Sequence, residues 1–184
     1  TSIASLEGGD FGRAFASGMA AEDTILRLLN PGDHVVMGND AYGGTFRLIS
    51  KVLTRFNIDW TAVNLANPSE IEAAIKDNTR ILWTETPSNR LLSVVDIEML
   101  ASIAHANSAW CVVDNTFATP YLQQPLSLGA DFVVHSATKY LGGHSDVVGG
   151  FIAMNSAELD EKIGFLQNAI GAVPAPWDCY LLLR

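Results

Sequence analysis

With 184 residues, 48% of them hydrophobic and 17% charged, the chain carries enough apolar material for one packed domain, which excludes a disordered or low-complexity protein. Its formal charge of −9 excludes the basic surface that phosphate-backbone binding needs, so nucleic acid is not an expected partner. No apolar run approaches the ~20 residues that cross a bilayer, so no membrane partner is expected either.

The opening TSIASLEGGD reads as the end of a helix and lacks the basic-then-apolar character of a secretory leader. ASGMA (16–20) then leads into a helical pattern, AAEDTILRLLN (20–30). A strand HVVMGN (34–39), a helix TFRLISKVLTRF (45–56) and a strand IDWTAVNL (58–65) follow. Next come a helix PSEIEAAIKD (68–77), a strand RILWTET (80–86), a helix IEMLASIAHAN (97–107) and the strands WCVVDNT (110–116) and DFVVHS (131–136). The closing CYLLLR has no helix-ending glycine or proline, and both ends read as cut from something longer. Cys111 lies in an apolar run and Cys179 is far away, so no disulfide framework is expected and the setting is a reducing, cytoplasmic one.

Strands alternating with helices predict an α/β fold with a mainly parallel sheet covered on both faces, all of residues 1–184 forming one domain. The strands are apolar nearly throughout, as burial on both faces requires. In such sheets ligands bind beyond the carboxyl ends of the strands. The polar residues that end these strands are therefore the site candidates: Asn39 and Asp40, Thr84 and Glu85, Asp114 to Thr116, and His135 with Ser136. All are expected along one edge.

Four features at that edge carry chemistry. Asp114 ends an apolar strand, either as a turn cap or as an anion held in a partly dry site for a buried cation. Lys139 stands between Thr138 and Gly142-Gly143; a lysine is most often a solvated charge, yet in an apolar or cationic pocket it becomes a nucleophile for aldehydes. Gly18 and Met19 open a helix whose free N–H groups suit an anion, and the hydroxyls of Ser136 and Thr138 add to that cradle. Tyr42, before two glycines, is either a rim tyrosine or a platform for a planar ring. An amine, a carboxylate, a phosphate cradle and an aromatic face are what pyridoxal phosphate needs. A dinucleotide-binding reading fails because no Gly-x-Gly-x-x-Gly follows the first strand. His135, His144 and Asp146 lack familiar zinc-ligand spacing, so no metal is expected; the latter two are read as fixing the loop behind Lys139.

The segments SATKYLGGHSDVVGG, VVDNTFATPYLQQPLSLGAD, ETPSN and DAYGGTFR resemble the pyridoxal-phosphate enzymes of cysteine and methionine metabolism. That group contains cystathionine γ-synthase and γ-lyase, methionine γ-lyase and the homoserine-ester sulfhydrylases, and the resemblance covers essentially the whole chain. It implies the aspartate-aminotransferase-like large domain, small amino-acid substrates and a homotetramer built from dimers. By position, Lys139 resembles the lysine that bonds the cofactor aldehyde and Asp114 the partner of the ring nitrogen. Gly18, Met19, Ser136 and Thr138 resemble the phosphate ligands, Tyr42 the stacked tyrosine, Asn89 and Thr116 residues beside the ring, and Arg47 a substrate contact. Arg47, Lys51 and Arg55 equally form an i, i+4, i+8 basic stripe on a helix.

Arg90 replaces the proline usual after Ser88-Asn89, which frees the backbone there. Family members are about twice this long, so an N-terminal arm and a C-terminal small domain are expected to be missing, and these 184 residues alone are not expected to turn over substrate. Tyr-Gly-Gly-Thr (42–45) lacks the cysteine that follows Tyr-Gly in methionine γ-lyases, and FLQNAIGAVPAPWDCYLLLR is similar to the synthase and γ-lyase branches. A catalytically silent scaffold is the non-enzyme alternative.

Overall fold

The structure is a computed structural model and describes residues 2–184. Helix α1 (Ser2–Leu6) and strand β1 (Phe11–Phe15) lead into α2 (Gly18–Leu26) and β2 (His34–Gly38). Then α3 (Gly43–Arg47), β3 (Asp59–Val63), α4 (Pro68–Ala74), β4 (Thr79–Glu85) and α5 (Ile97–Ala106) follow. The second half holds β5 (Trp110–Asp114), α6 (Thr119–Leu122), β6 (Phe132–Ser136), β7 (Gly150–Met154), α7 (Ala157–Ile170) and α8 (Pro176–Leu183).

Local chemistry sets the boundaries. Ser17 caps α2 by accepting the Ala20 N–H, Asp96 caps α5 by accepting that of Met99, and Ser156 caps α7 through Leu159. Asn67 caps α4, with Pro68 at the first helical position where its missing N–H costs nothing. Gly171, with φ at 80°, ends α7 in the left-handed conformation.

The sheet has seven strands in the order β1-β7-β6-β5-β4-β2-β3. Its five central and far-edge strands, β6 to β3, are parallel as expected, while β7 and β1 join antiparallel. Those two strands were not expected from the sequence. FGRAF and GFIAM are five-residue runs carrying glycine, and only pairing with β6 and with each other makes them strands. The expected helix 45–56 is also broken: after α3 it passes through a π-helical turn (Leu48–Val52) and a 3₁₀ turn (Leu53–Phe56). Lys51 and Arg55 therefore do not continue a straight helical stripe.

The two-residue period of the strands sorts the core into layers. Val35, Met37, Ile81, Trp83, Val112, Phe132, Val134 and Ile152 face one layer, under α2, the turns that follow α3, and α7. Val36, Leu82, Cys111 and Val113 face another, under α4 and α5, while Val133, Phe151 and Ala153 meet α1. The same parity continues past the last apolar residue of each strand and decides which polar ends can meet.

Candidate active site

On that parity Glu85, Asp114, Thr116 and Ser136 fall on the α2 side of the sheet, and His135 and Asn115 on the other. The outcome follows. Glu85 lies opposite Asp114 in the β4–β5 register, and all four line a cavity of about 1270 Å³ beyond the strand ends. His135 and Asn115 instead turn to Glu7, just past α1: His135 Nε2 and Asn115 Nδ2 both meet Glu7 Oε1, the latter at 2.7 Å. The expected single edge thus holds two separate polar groups. Asn39, Asp40 and Thr84 line a smaller neighbouring cleft of about 220 Å³ that Glu85 shares.

Three loops frame the cavity. The β2–α3 loop brings Tyr42 and the β4–α5 loop brings Asn89, from strands where the chain order reverses: β3 lies to one side of β2 and β4 to the other. The turn after β6 brings Lys139, whose N–H donates to Ser136 O at 3.1 Å. Gly18, Met19, Ser136 and Thr138 line the same cavity. Arg47 does not; it is exposed, and its guanidinium lies back near Gly43 at the start of its own helix. The substrate contact implied for Arg47 is not assembled within this chain.

The β2 and β4 loops are tied to one another. Ser88 Oγ donates to Asp40 at 2.5 Å, and Tyr42 N–H donates to Glu85 at 3.1 Å. Ser88 also closes its own loop, accepting the Ser93 N–H through Oγ and donating its N–H to Ser93 O, each at 3.0 Å. Asn89 is therefore placed by Ser88, and the loop stands with Arg90 where the proline was expected.

Two glycines are required by close approach. A Cβ on Gly18 would stand 2.8 Å from Ser136 Cβ, so only glycine lets the start of α2 close on the end of β6. A Cβ on Gly44 would stand 2.7 Å from Met19 Sδ and 3.0 Å from Tyr42 Cδ1, so Gly44 lets the Tyr42 ring and Met19 pack together at the cavity wall.

Asp114 is only 6% exposed. Burial pushes its carboxyl above the usual range, against hydrogen bonds from the Thr116 hydroxyl and N–H, the latter at 2.9 Å. Thr116 Oγ1 in turn accepts the Ser136 N–H at 2.8 Å, which clamps the ends of β5 and β6. Glu85 is raised to about 7, first by burial and then by Asp114, opposed by the N–H groups of Asn89 and Tyr42. Glu22, one helical turn on from Gly18, is raised to about 8 by burial and then by Asp114, with the Thr45 hydroxyl opposing. Lys139 is the single basic side chain among the lining residues.

The model of the Cys/Met metabolism PLP-dependent enzyme family matches residues 1–184. The chain belongs to this family. It is 59% identical over 184 residues to a cystathionine gamma-synthase of Mycobacterium tuberculosis, covering 100% of this chain and 47% of the relative. It is 56% identical over 182 residues to a cystathionine beta-lyase of Lactococcus lactis, 99% of this chain and 48% of the relative. Among solved structures, metB from Corynebacterium glutamicum superposes with a TM-score of 0.97 at 55% identity, covering 99% of this chain and 48% of that one. A cystathionine gamma-lyase from Lactobacillus plantarum complexed with L-serine gives 0.97 at 52% identity, again 99% and 48%. The chain spans about half the length of the curated relatives it matches.

The family depends on pyridoxal phosphate, and the residues present fit it. Gly18 and Met19 precede the first intrahelical bond of α2, made by Ala21, so their N–H groups remain for a phosphate. A buried carboxylate with a raised pKa calls for a cation, which the protonated ring nitrogen of this family's cofactor provides. Thr138 Oγ1 accepts the Gly149 N–H at 3.0 Å and donates to Gly149 O at 3.2 Å, and rotating its one hydrogen off that carbonyl would present it to a phosphate oxygen. His144 Nδ1 meets Gly142 O at 2.8 Å and Asp146 pairs with Arg184 at 2.7 Å, so both hold the loop after Lys139 as expected.

Sequence reasoning placed Glu85 at the edge without a role and missed Glu22. The signal for Glu22 was available. In AAEDTILRLL it falls on the same helical face as Gly18, Ala21 and Ile25, and an acid on the buried face of a helix is a candidate functional group.

Proposed function

We propose that this chain is the large-domain part of a trans-sulfuration enzyme that exchanges the γ-substituent of an O-acylhomoserine ester for cysteine, a cystathionine γ-synthase. The observation that carries this reading is Lys139 and Asp114 in one cavity of a chain 59% identical throughout to cystathionine gamma-synthases. The whole protein is a cytoplasmic homotetramer in this reading, with arms outside these residues completing each site.

When bound, pyridoxal phosphate supplies an electron sink that makes the α- and then the β-hydrogens of an amino acid acidic. Gly18 and Met19 hold its phosphate at the start of α2, with Ser136 and Thr138 adding hydroxyls. Asp114 keeps the ring nitrogen protonated, Thr116 and Asn89 border the ring, and Tyr42 covers one face. Lys139 Nζ would anchor the cofactor and would hold or move a proton at the substrate carbons.

A second reading is favoured by the solved cystathionine gamma-lyase at 52% identity: elimination of cystathionine to cysteine, 2-oxobutyrate and ammonia, a γ-lyase. The full-length protein, offered a homoserine ester with cysteine, is expected to make cystathionine. Cysteine and 2-oxobutyrate from cystathionine alone, with no cystathionine from the first mixture, would replace the synthase reading with the lyase one.

A further inference from the structure

Three buried carboxyl groups from three elements, Glu22 of α2, Glu85 of β4 and Asp114 of β5, line one cavity with Lys139 as its single basic neighbour. Glu22 is 4% exposed, and its Oε2 has no hydrogen-bond partner. The elements packed against α2 offer it no cation. Strand β7 (Gly150–Met154) carries no charged side chain, Arg13 of β1 is paired with Asp160 of α7 at 2.5 Å, Lys162 of α7 is paired with Glu158 at 2.6 Å, and His135 of β6 is turned to Glu7. From α3 it meets the Thr45 hydroxyl, while Arg47 is exposed. Tyr42 borders the same cavity.

Lys139 lines the cavity but forms no ion pair with Glu22, whose Oε2 stays unpartnered, and a buried anion with no paired cation takes up a proton. The site also has to admit a phosphate dianion and keep Asp114 ionised for the ring nitrogen, and a second full charge beside Asp114 opposes both. Resting on the cofactor-site reading above, we infer that Glu22 is a positioning residue of the cofactor site that holds a proton for the Glu22–Asp114 pair, leaving Asp114 as the carboxylate that faces the ring. Two like groups in one dry site divide into an acid and an anion, and here helix α2 supplies the acid. Its unpartnered oxygen then carries no full charge, so the orphaned acceptor is tolerable. Burial first, and the Asp114 charge second, raise Glu22 to about 8, in the same sense.

The test starts with infrared spectra of the full-length protein without cofactor. Wild type minus E22Q is expected to show a protonated-carboxyl carbonyl band at pH 7 that disappears by pH 9. D114N, by removing the repulsion, is expected to move that disappearance to lower pH in an otherwise wild-type chain. A missing band at pH 7, or a band indifferent to D114N, overturns the proposal.

Titration with pyridoxal phosphate gives a second readout. Relative to E22Q, wild type is expected to lose affinity above its transition by at most about tenfold per pH unit, the limit for one proton. A flat ratio from pH 7 to 9 overturns the proposal. A wild-type protein that binds no pyridoxal phosphate overturns the site reading instead, and the infrared band still reports on Glu22.

Discussion

The Glu85 carboxylate accepts the backbone N–H of Tyr42 at 3.1 Å, joining the end of β4 to a loop that leaves β2. The N–H of Asn89, in the next loop along, also bonds this carboxyl and opposes the rise that burial gives its pKa. One side chain thus brackets the two loops that carry the aromatic and amide groups of the cavity. An amide offers one acceptor oxygen where a carboxylate offers two. E85Q is therefore expected to weaken pyridoxal phosphate binding by about tenfold, and E85A by more, since each lost charge-assisted bond is worth roughly 1.5–3 kcal/mol. Absorbance titration of the full-length apo protein measures both; unchanged affinity in E85A would rule the bracket out.

Gly18→Ala puts a methyl 2.8 Å from Ser136 Cβ and 2.9 Å from its Cα. The backbone must move, which costs about 1–3 kcal/mol of stability. The larger effect is expected on the cofactor, because the displaced N–H groups are those offered to its phosphate. Affinity is expected to fall at least tenfold for pyridoxal phosphate and far less for pyridoxal, which has no phosphate to lose.

Asp114→Ala is expected to lower turnover per bound cofactor more than it lowers occupancy. In the proposed site the carboxylate would keep the ring nitrogen protonated, and the phosphate contacts would hold the cofactor in place without it. Steady-state rates normalised to bound cofactor check this, and an unchanged normalised rate would remove Asp114 from the ring-nitrogen role.

Glu7 and His135 are both fully buried, on the face of the sheet away from the cavity. Truncating one partner leaves the other without its counterpart, which costs about 3–5 kcal/mol for a buried pair. H135A and E7A are each expected to lower the unfolding midpoint strongly, and the double variant is expected to lose much less than the sum. Additive losses in denaturant titrations would show that the two do not act as a pair.

The raised carboxyls also set a pH dependence. Glu22 and Glu85 keep their protons when folded, up to about 8 and about 7, while an unfolded glutamate releases its proton near 4.5. The folded protein therefore binds more protons between these limits, and its stability falls as pH rises through that window. Between pH 6 and pH 9 the cofactor-free full-length protein is expected to lose on the order of 1–3 kcal/mol beyond what the E22Q/E85Q double variant loses. Equal losses in urea titrations at the two pH values would refute the assignment.

The sequence by itself determined the alternation of strands and helices, the parallel centre of the sheet and the list of polar strand ends. It did so because apolar periodicity and caps are local properties: Ser17, Asp96 and Ser156 announce their helices without help from the rest of the chain. The motif around Lys139 was legible for the same reason. Only the tertiary structure decided that GFIAM and FGRAF would become strands, since an edge strand is made by its partner as much as by its own residues. It also decided which strand ends share a site. The two-residue period turns Asp114 and Ser136 toward α2 and their immediate neighbours Asn115 and His135 toward Glu7. Glu22 entered the cavity through the packing of a helix more than ninety residues away from Asp114, and the charge coupling between them exists only once both are buried together.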